Sequence, residues 1–267
     1  MPEITVFGAY VAAALLMAGP GRRTPASVWT TAAPLLAVLA VASHAALLWH
    51  AVLSNGPTNL SLGNTVSLSG WMLSLLISGY FFNSTYRGLA AIFLVAISVS
   101  VMFTGSAGSH VGVVGTEPAW QFASHAVMAT LSYSLLAVAA ALAVMTSLKD
   151  RQLRRGPDVG WTRLLPPLDE LERHMYMAIV VGFVLLSLAI FSGLIFVQDV
   201  MAQHLVHKTV LTGLAWLIFG ILILGRWQFG WRGRKAINLT LAGFAVLVLA
   251  YFGSRVVLEM LLGRYWG

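Results

Sequence analysis

Residues 175–197 read MYMAIVVGFVLLSLAIFSGLIFV, an apolar run unbroken by any charged side chain. At about 1.5 Å of rise per residue, a helix of this length crosses the roughly 30 Å hydrocarbon core of a bilayer. The segment before it has the opposite character. In PPLDELERH (166–174), two prolines stand ahead of Asp169, Glu170 and Glu172. Proline is tolerated where a helix begins, and carboxylates are favoured near the positive end of its dipole. The pattern predicts a helix that starts as an interfacial turn and then enters the membrane.

Outward from this stretch the whole chain has the same character. Of its 267 residues, 58% are apolar and 9% are charged, with a mean hydropathy of +0.83. An ordinary soluble domain carries about 25% charged residues, so the composition describes an integral membrane protein. Apolar segments of about spanning length fall at 4–19, 28–53, 62–82, 88–104, 120–147, 175–197, 207–226 and 236–262. The first is short and the third is rich in Ser and Gly. Turn-rich or basic stretches such as GPGRRTP and SNGPTN separate them. The expected fold class is all-α: a polytopic membrane helix bundle of eight transmembrane helices forming a single integral membrane domain.

Basic residues set the orientation. Arg22 and Arg23 follow the first span rather than precede it, so it reads as a retained span with its N-terminus outside, not as a signal peptide. Alternating from there puts Arg22, Arg23, Arg87, Lys149, Arg151, Arg154, Arg155, Arg163, Arg173, Arg226, Arg232, Arg234 and Lys235 inside, and Lys208, Arg255 and Arg264 outside. A bias of 13 to 3 fits eight spans with both termini on the outer side of a bacterial inner membrane. The net charge of +7 therefore reports topology and does not imply a nucleic-acid partner. The chain has no cysteine, which excludes disulfides, thiolate ligands and covalent haem attachment through C-x-x-C-H. No P-loop, H-E-x-x-H or G-x-S-x-G motif occurs, and too little chain lies outside the spans for a soluble catalytic domain. The bilayer itself is the first partner implied.

On this topology His44, His50, His110, His125, His204 and His207 fall in or near the outer half, and His174 on the inner side. Imidazole is a common metal ligand and suits haem iron, so the asymmetry points to a haem or metal site at the outer face. His44 lies deep in the second span, where an imidazole is costly unless it ligates or is hydrogen-bonded to a neighbouring helix. His50 reads as a solvated rim residue, and so does His110 in its Gly-rich loop. His125 stands near the outer end of the fifth span. His204 and His207 share a helix face at the start of the seventh, with Lys208 next in sequence. Two imidazoles from different helices can clamp haem iron, with Lys208, Arg255 and Arg264 as the outer cations able to face its propionates. Arg255 could instead pair with Glu259 at i, i+4 or snorkel outward. Trp49, Trp71, Trp120 and Trp216 either line a porphyrin or anchor span ends at the interface. His174, beside three carboxylates, reads as structural.

Three stretches carry a family resemblance: SHAVMATLSYSLLAVAAALA from Ser124, LDELERHMYMAIVVGFVLLSLAIFSGLIF from Leu168, and HKTVLTGLAWLIFGILILGRWQFGWRGRKAINLTLAGFAVLVLAYFGSR from His207. In order and spacing they resemble the cytochrome c assembly protein family, the CcsA/CcmC-type membrane proteins. The A-S-H-A stretch around His44, followed by N-L-S-L at 59–62, is similar to the short HemX-like and YpjD-like members. The resemblance implies haem handling associated with cytochrome c assembly, with haem and other cytochrome c maturation proteins as partners and haem b as a non-covalent cofactor. Full-length members hold haem through histidines flanking a W-G-x-x-W-x-W-D segment. Here QDVMAQHLVHK (198–208) stands in that place, and no histidine follows His207. Of the family's outer pair, His125 carries over directly. What the resemblance implies is therefore a regulatory or accessory, non-catalytic role, with His125 and His207 as candidate axial ligands. His44 is then either ligand to a second, deeper haem or, with one haem, a hydrogen-bonded residue of the bundle. Two other classes remain open on the residues alone: a b-type electron-transfer cytochrome, for which the inner half offers only His174, and a non-haem accessory subunit or transporter.

Overall fold

The computed structural model describes residues 2–19, 28–52, 62–105, 119–156, 160–196 and 203–250, leaving aside the side chains of 28–30, 62, 119–123, 196 and 203–208. The fold is all-α, with no strand among the described residues. In chain order the helices are α1 (Pro2–Ala18), α2 (Val28–Val52), α3 (Leu62–Leu76), α4 (Ser78–Phe81), α5 (Arg87–Val101), α6 (Ala119–Arg155), α7 (Leu168–Phe196), α8 (Gln203–Phe229) and α9 (Arg234–Val248). A short 3-10 helix, Gly160–Leu164, precedes α7. The chain divides into two compact units: residues 1–113 with 157–166, and 114–156 with 167–266.

In the first unit α1 packs against α2 and α5, while α3 packs against α2 and α5. Small residues let these helices approach closely, as expected where an apolar surround gives little drive to associate and packing must supply it. Ala13 and Ala14 are buried on α1, Ala37 and Ala40 on α2, and Ala90 and Ala91 on α5. At the α3–α5 crossing, a Cβ built on Gly70 would overlap the side chain of Ser100. The segment expected as one span over 62–82 is broken at Ile77, where α3 ends and α4 begins. The cause is local. Ser74 Oγ donates to Trp71 O (2.6 Å) and Ser78 Oγ to Leu75 O (2.7 Å), just before Gly79. Such back-bonding competes with the backbone ladder, and Ser/Gly pairs are a recurrent site of helix breaks.

In the second unit α6 pairs with α7 and α9, and α8 with α9 and α7. Ser132 Oγ donates to Gly182 O at 2.9 Å, and a Cβ on Gly182 would stand 2.9 Å from Leu136 Cγ. Hence α6 and α7 touch nearly backbone to backbone. On α7 the buried residues Leu171, Met175, Ala178, Ile179, Leu186 and Ala189 form one face. Met177, Val181, Val184, Leu188, Phe191 and Ile195 form the opposite one and are exposed. A fully apolar exposed stripe is what a helix presents to lipid. Val210, Leu214, Leu217, Ile221 and Leu224 repeat this on α8.

Four described helical stretches are long and apolar enough to cross a membrane: Thr31–Val52, Ser124–Arg155, Leu168–Ile195 and Thr209–Phe229. The helices Pro2–Ala18 and Arg87–Val101 are apolar but shorter. Two helices run past their expected ends. α6 continues to Arg155 because its last turns carry good helix formers and an Asp150–Arg154 pair (3.1 Å) at i, i+4. α7 begins at Leu168 with Asp169 and Glu170 in its first turn, and Leu171 N donates to Pro167 O at 3.1 Å, as a helix start flanked by prolines should.

These close approaches fix an expected outcome. Gly70→Ala and Gly182→Val should each destabilise the protein by about 1–3 kcal/mol through overpacking. Gly8→Ala, where nothing stands within 4 Å of the added Cβ, should be neutral or stabilising by up to about 1 kcal/mol. Thermal unfolding in detergent separates the three.

Candidate functional site

The first, second and third helices and the end of the fifth bring a set of polar side chains together inside the first unit. His44, in the second half of α2, is fully buried at 0% exposure. Its Nδ1 lies 3.2 Å from Tyr10 Oη on α1, and its Nε2 lies 2.8 Å from Ser67 Oγ on α3. Ser67 Oγ is 2.6 Å from Thr104 Oγ1, just past α5. Tyr10 Oη donates to Ser74 Oγ (3.4 Å), whose own hydroxyl is committed to Trp71 O (2.6 Å). One polarity satisfies every bond. Thr104 donates to Ser67, Ser67 to His44 Nε2, His44 Nδ1–H to Tyr10, Tyr10 to Ser74, and Ser74 to a carbonyl. Neutral imidazole has one donor and one acceptor nitrogen, and both are used here. The rings of Tyr10 and His44 also meet edge to face at 5.8 Å.

The partners of His44 come from a polar stripe on α3. Asn64, Ser67 and Ser74 are all at 0% exposure, at spacings of three and seven that keep them on one helix face. Asn64 Oδ1 accepts from Gly105 N (2.9 Å), and its Nδ2 donates to Ala51 O (3.4 Å). Trp71 Nε1 donates to Val41 O at 3.1 Å. The Ser and Gly richness of this segment was its one visible signal. Tyr10, Ser67, Ser74 and Thr104 are the site residues that sequence reasoning did not single out.

His125 occupies a different setting in the second unit. It lies on α6, half-buried, with Nδ1 2.9 Å from Ser192 Oγ on α7. Ser192 donates its hydroxyl hydrogen to Ala189 O (3.0 Å), so its oxygen can only accept from the imidazole. With both bonds formed, the proton stands on Nδ1 and the lone pair on Nε2. Gly193 lies against the same ring, where an added Cβ would stand 3.2 Å from Cε1. A hydrogen bond at one nitrogen that fixes the lone pair on the other is the arrangement in which histidine ligates metals.

The other predicted residues are placed as follows. His204, His207 and Lys208 belong to the first turns of α8, but their side chains lie outside the described residues, as do His110, Arg255, Glu117, Asp199 and the side chain of Trp120. His50 is exposed on the last turn of α2. His174 Nδ1 donates to Glu170 O (2.8 Å), one turn back on α7. Trp216 Nε1 donates to Ser187 Oγ (2.8 Å) and its ring stacks on Phe183 at 5.4 Å. Trp49 is largely exposed. Among the described residues no three His, Asp or Glu side chains gather to hold a bare metal ion. Haem asks for less than a metal cage, because the porphyrin supplies four of its ligands.

The model for the cytochrome C assembly protein family matches residues 32–262 of this sequence. The chain belongs to that family. It is 30% identical to the inner membrane protein YpjD of Escherichia coli (strain K12) over 247 residues, which cover 91% of this chain and 92% of the relative. A 28.8 kDa protein from the nifR3-like 5' region of Azospirillum brasilense is 27% identical over 218 residues, covering 80% and 78% of the two chains. The cytochrome c biogenesis protein CcsA of Prochlorococcus marinus (strain AS9601) is 32% identical over 87 residues, covering 32% of this chain and 28% of that one. No solved structure matches the chain significantly.

Because His44 spends both ring nitrogens, removing it strands its partners. His44→Ala should cost about 1–3 kcal/mol for each hydroxyl left unpaired in the interior. A thermodynamic cycle of His44→Ala with Ser67→Ala should show coupling above about 0.5 kcal/mol. Strict additivity would mean the two side chains do not share a bond.

Proposed function

We propose that this protein is a multi-pass inner-membrane haem-handling protein associated with cytochrome c assembly, holding haem b non-covalently and catalysing no reaction of its own. The observation that carries the reading is the hydrogen bond between His125 Nδ1 and Ser192 Oγ (2.9 Å), which orients the imidazole on the closely packed α6–α7 pair. Family membership supplies the association with haem and with other cytochrome c maturation proteins, and the basic-residue bias supports eight spans in one membrane domain with both termini outside. His207 is the proposed second axial ligand, with His204 one turn away as its alternate. Lys208 and Arg255 would face the propionates. Bound there, haem supplies a redox-active iron; the protein's part is to fix the imidazole tautomer, surround the porphyrin with apolar side chains and neutralise its carboxylates. His44 supports a one-haem version, because its two hydrogen bonds leave it a framing role inside the N-terminal helices.

Haem occupancy of purified variants, read by pyridine haemochrome, tests the assignment. His125→Ala and His207→Ala should each lower occupancy at least about tenfold, and Ser192→Ala should weaken haem affinity by about 10–100-fold, while His174→Ala leaves both unchanged. Equal occupancy in all four would remove the proposed ligand pair and favour a non-haem accessory subunit or transporter.

A further inference from the structure

The turn from α8 to α9, GRWQFGWRGRK (225–235), concentrates four cations, and among the described residues one acid is paired with it. That acid, Glu172 on α7, is already committed. Its Oε1 accepts from Gly233 N at 3.2 Å, and its Oε2 lies 3.7 Å from Arg232 Nε. Among the described residues Arg226, Arg234 and Lys235 have no carboxylate partner. The turn is nevertheless firmly built. Trp231 packs so tightly over Gly225 that any Cβ there would overlap its ring, and Trp231 N donates to Gly225 O at 3.3 Å. Lys235 Nζ sits 3.4 Å from the Trp231 ring centroid, and Arg226 Cζ 4.3 Å from that of Tyr176. Both cations are held by aromatic faces rather than by anions.

Arg226 supplies the second observation. Its Nη1 is buried and has no hydrogen-bond partner among the described residues. A charged donor in that position is costly unless something accepts from it. The first turn of α9 adds no acidic residue and its N-cap, Gly233, makes no side-chain cap, so the positive end of that helix adds to the same field. An anion with several oxygens would supply that acceptor. Its source is indicated by what surrounds the turn. Trp227 and Phe229 are 79% and 72% exposed, directly beyond the lipid-type stripe of α8. Aromatics at the end of an apolar stripe mark headgroup level, and basic clusters there bind anionic headgroups.

We propose that the α8–α9 turn binds the phosphate group of an anionic phospholipid through Arg226, Arg234 and Lys235, with Trp227 and Phe229 seated in the interface. This rests on the membrane character of the chain and not on haem, so a haem-free preparation tests it equally well. The purified full-length protein in neutral detergent is unfolded thermally with added phosphatidylglycerol, phosphatidylcholine or inorganic phosphate. Phosphatidylglycerol should raise the midpoint by about 4 °C or more, with little shift from the other two. Arg226→Gln should abolish that shift. If that variant does not fold, Arg234→Gln with Lys235→Gln, both exposed, should reduce it by at least half. A shift of equal size with inorganic phosphate would assign the site to a soluble anion and overturn the lipid. No shift in the wild type, or an undiminished one in the folded variants, would overturn the site altogether.

Discussion

A hydrogen-bonding group in an apolar surround finds its partner inside the protein or not at all, and the buried imidazole of His44 shows what that demands. Its two nitrogens are met by Tyr10 and Ser67, which lie on helices to either side in sequence, and Ser67 is met in turn by Thr104. The chain of bonds thus ties α1, α2, α3 and the end of α5 at one level. Helices that exclude water have little else to fix their register, because lipid tails are as apolar as the side chains that face them. Loss of any one member leaves its neighbours unsatisfied, so the network holds as a unit.

The same rule gives His125 a different part. Ser192 commits its hydrogen to Ala189 and can only accept from the imidazole, which leaves the basic nitrogen as Nε2. One histidine is therefore consumed by structure, and for the other we propose a ligand's role, although both lie in apolar helices. Family membership alone would not distinguish them, since function resides in sites and not in folds. The proposed haem-handling role needs an oriented imidazole, and Ser192 and Gly193 on α7 lie against that of His125.

Much of the architecture was legible because apolar runs of spanning length are hard to mistake. α2 and α8 coincide closely with expected segments, α6 and α7 contain theirs and extend beyond them, and the acidic start of α7 was readable from its prolines and carboxylates. The break at Ile77 was not readable as such. It depends on Ser74 and Ser78 bonding back to the ladder, and a serine in a span gives no sign of whether it faces the backbone or a neighbour. The same ambiguity hid the partners of His44. Sequence could say that the imidazole needed satisfaction, but not that Tyr10, 34 residues earlier, and Ser67, 23 residues later, would supply it. The orphaned Arg226 was equally invisible, because a basic residue at a span end reads as topology until its surroundings are known.

The central claim is that His125 is held ready for haem iron, and an optical spectrum of the purified protein tests it most directly. Oxidised and then dithionite-reduced, the protein should show a sharp Soret band and resolved α and β bands of six-coordinate haem b, with about one haem per chain by pyridine haemochrome. A preparation that is colourless, and stays so after haem is added, would contradict the account and leave the Ser192–His125 pair a structural contact between α6 and α7.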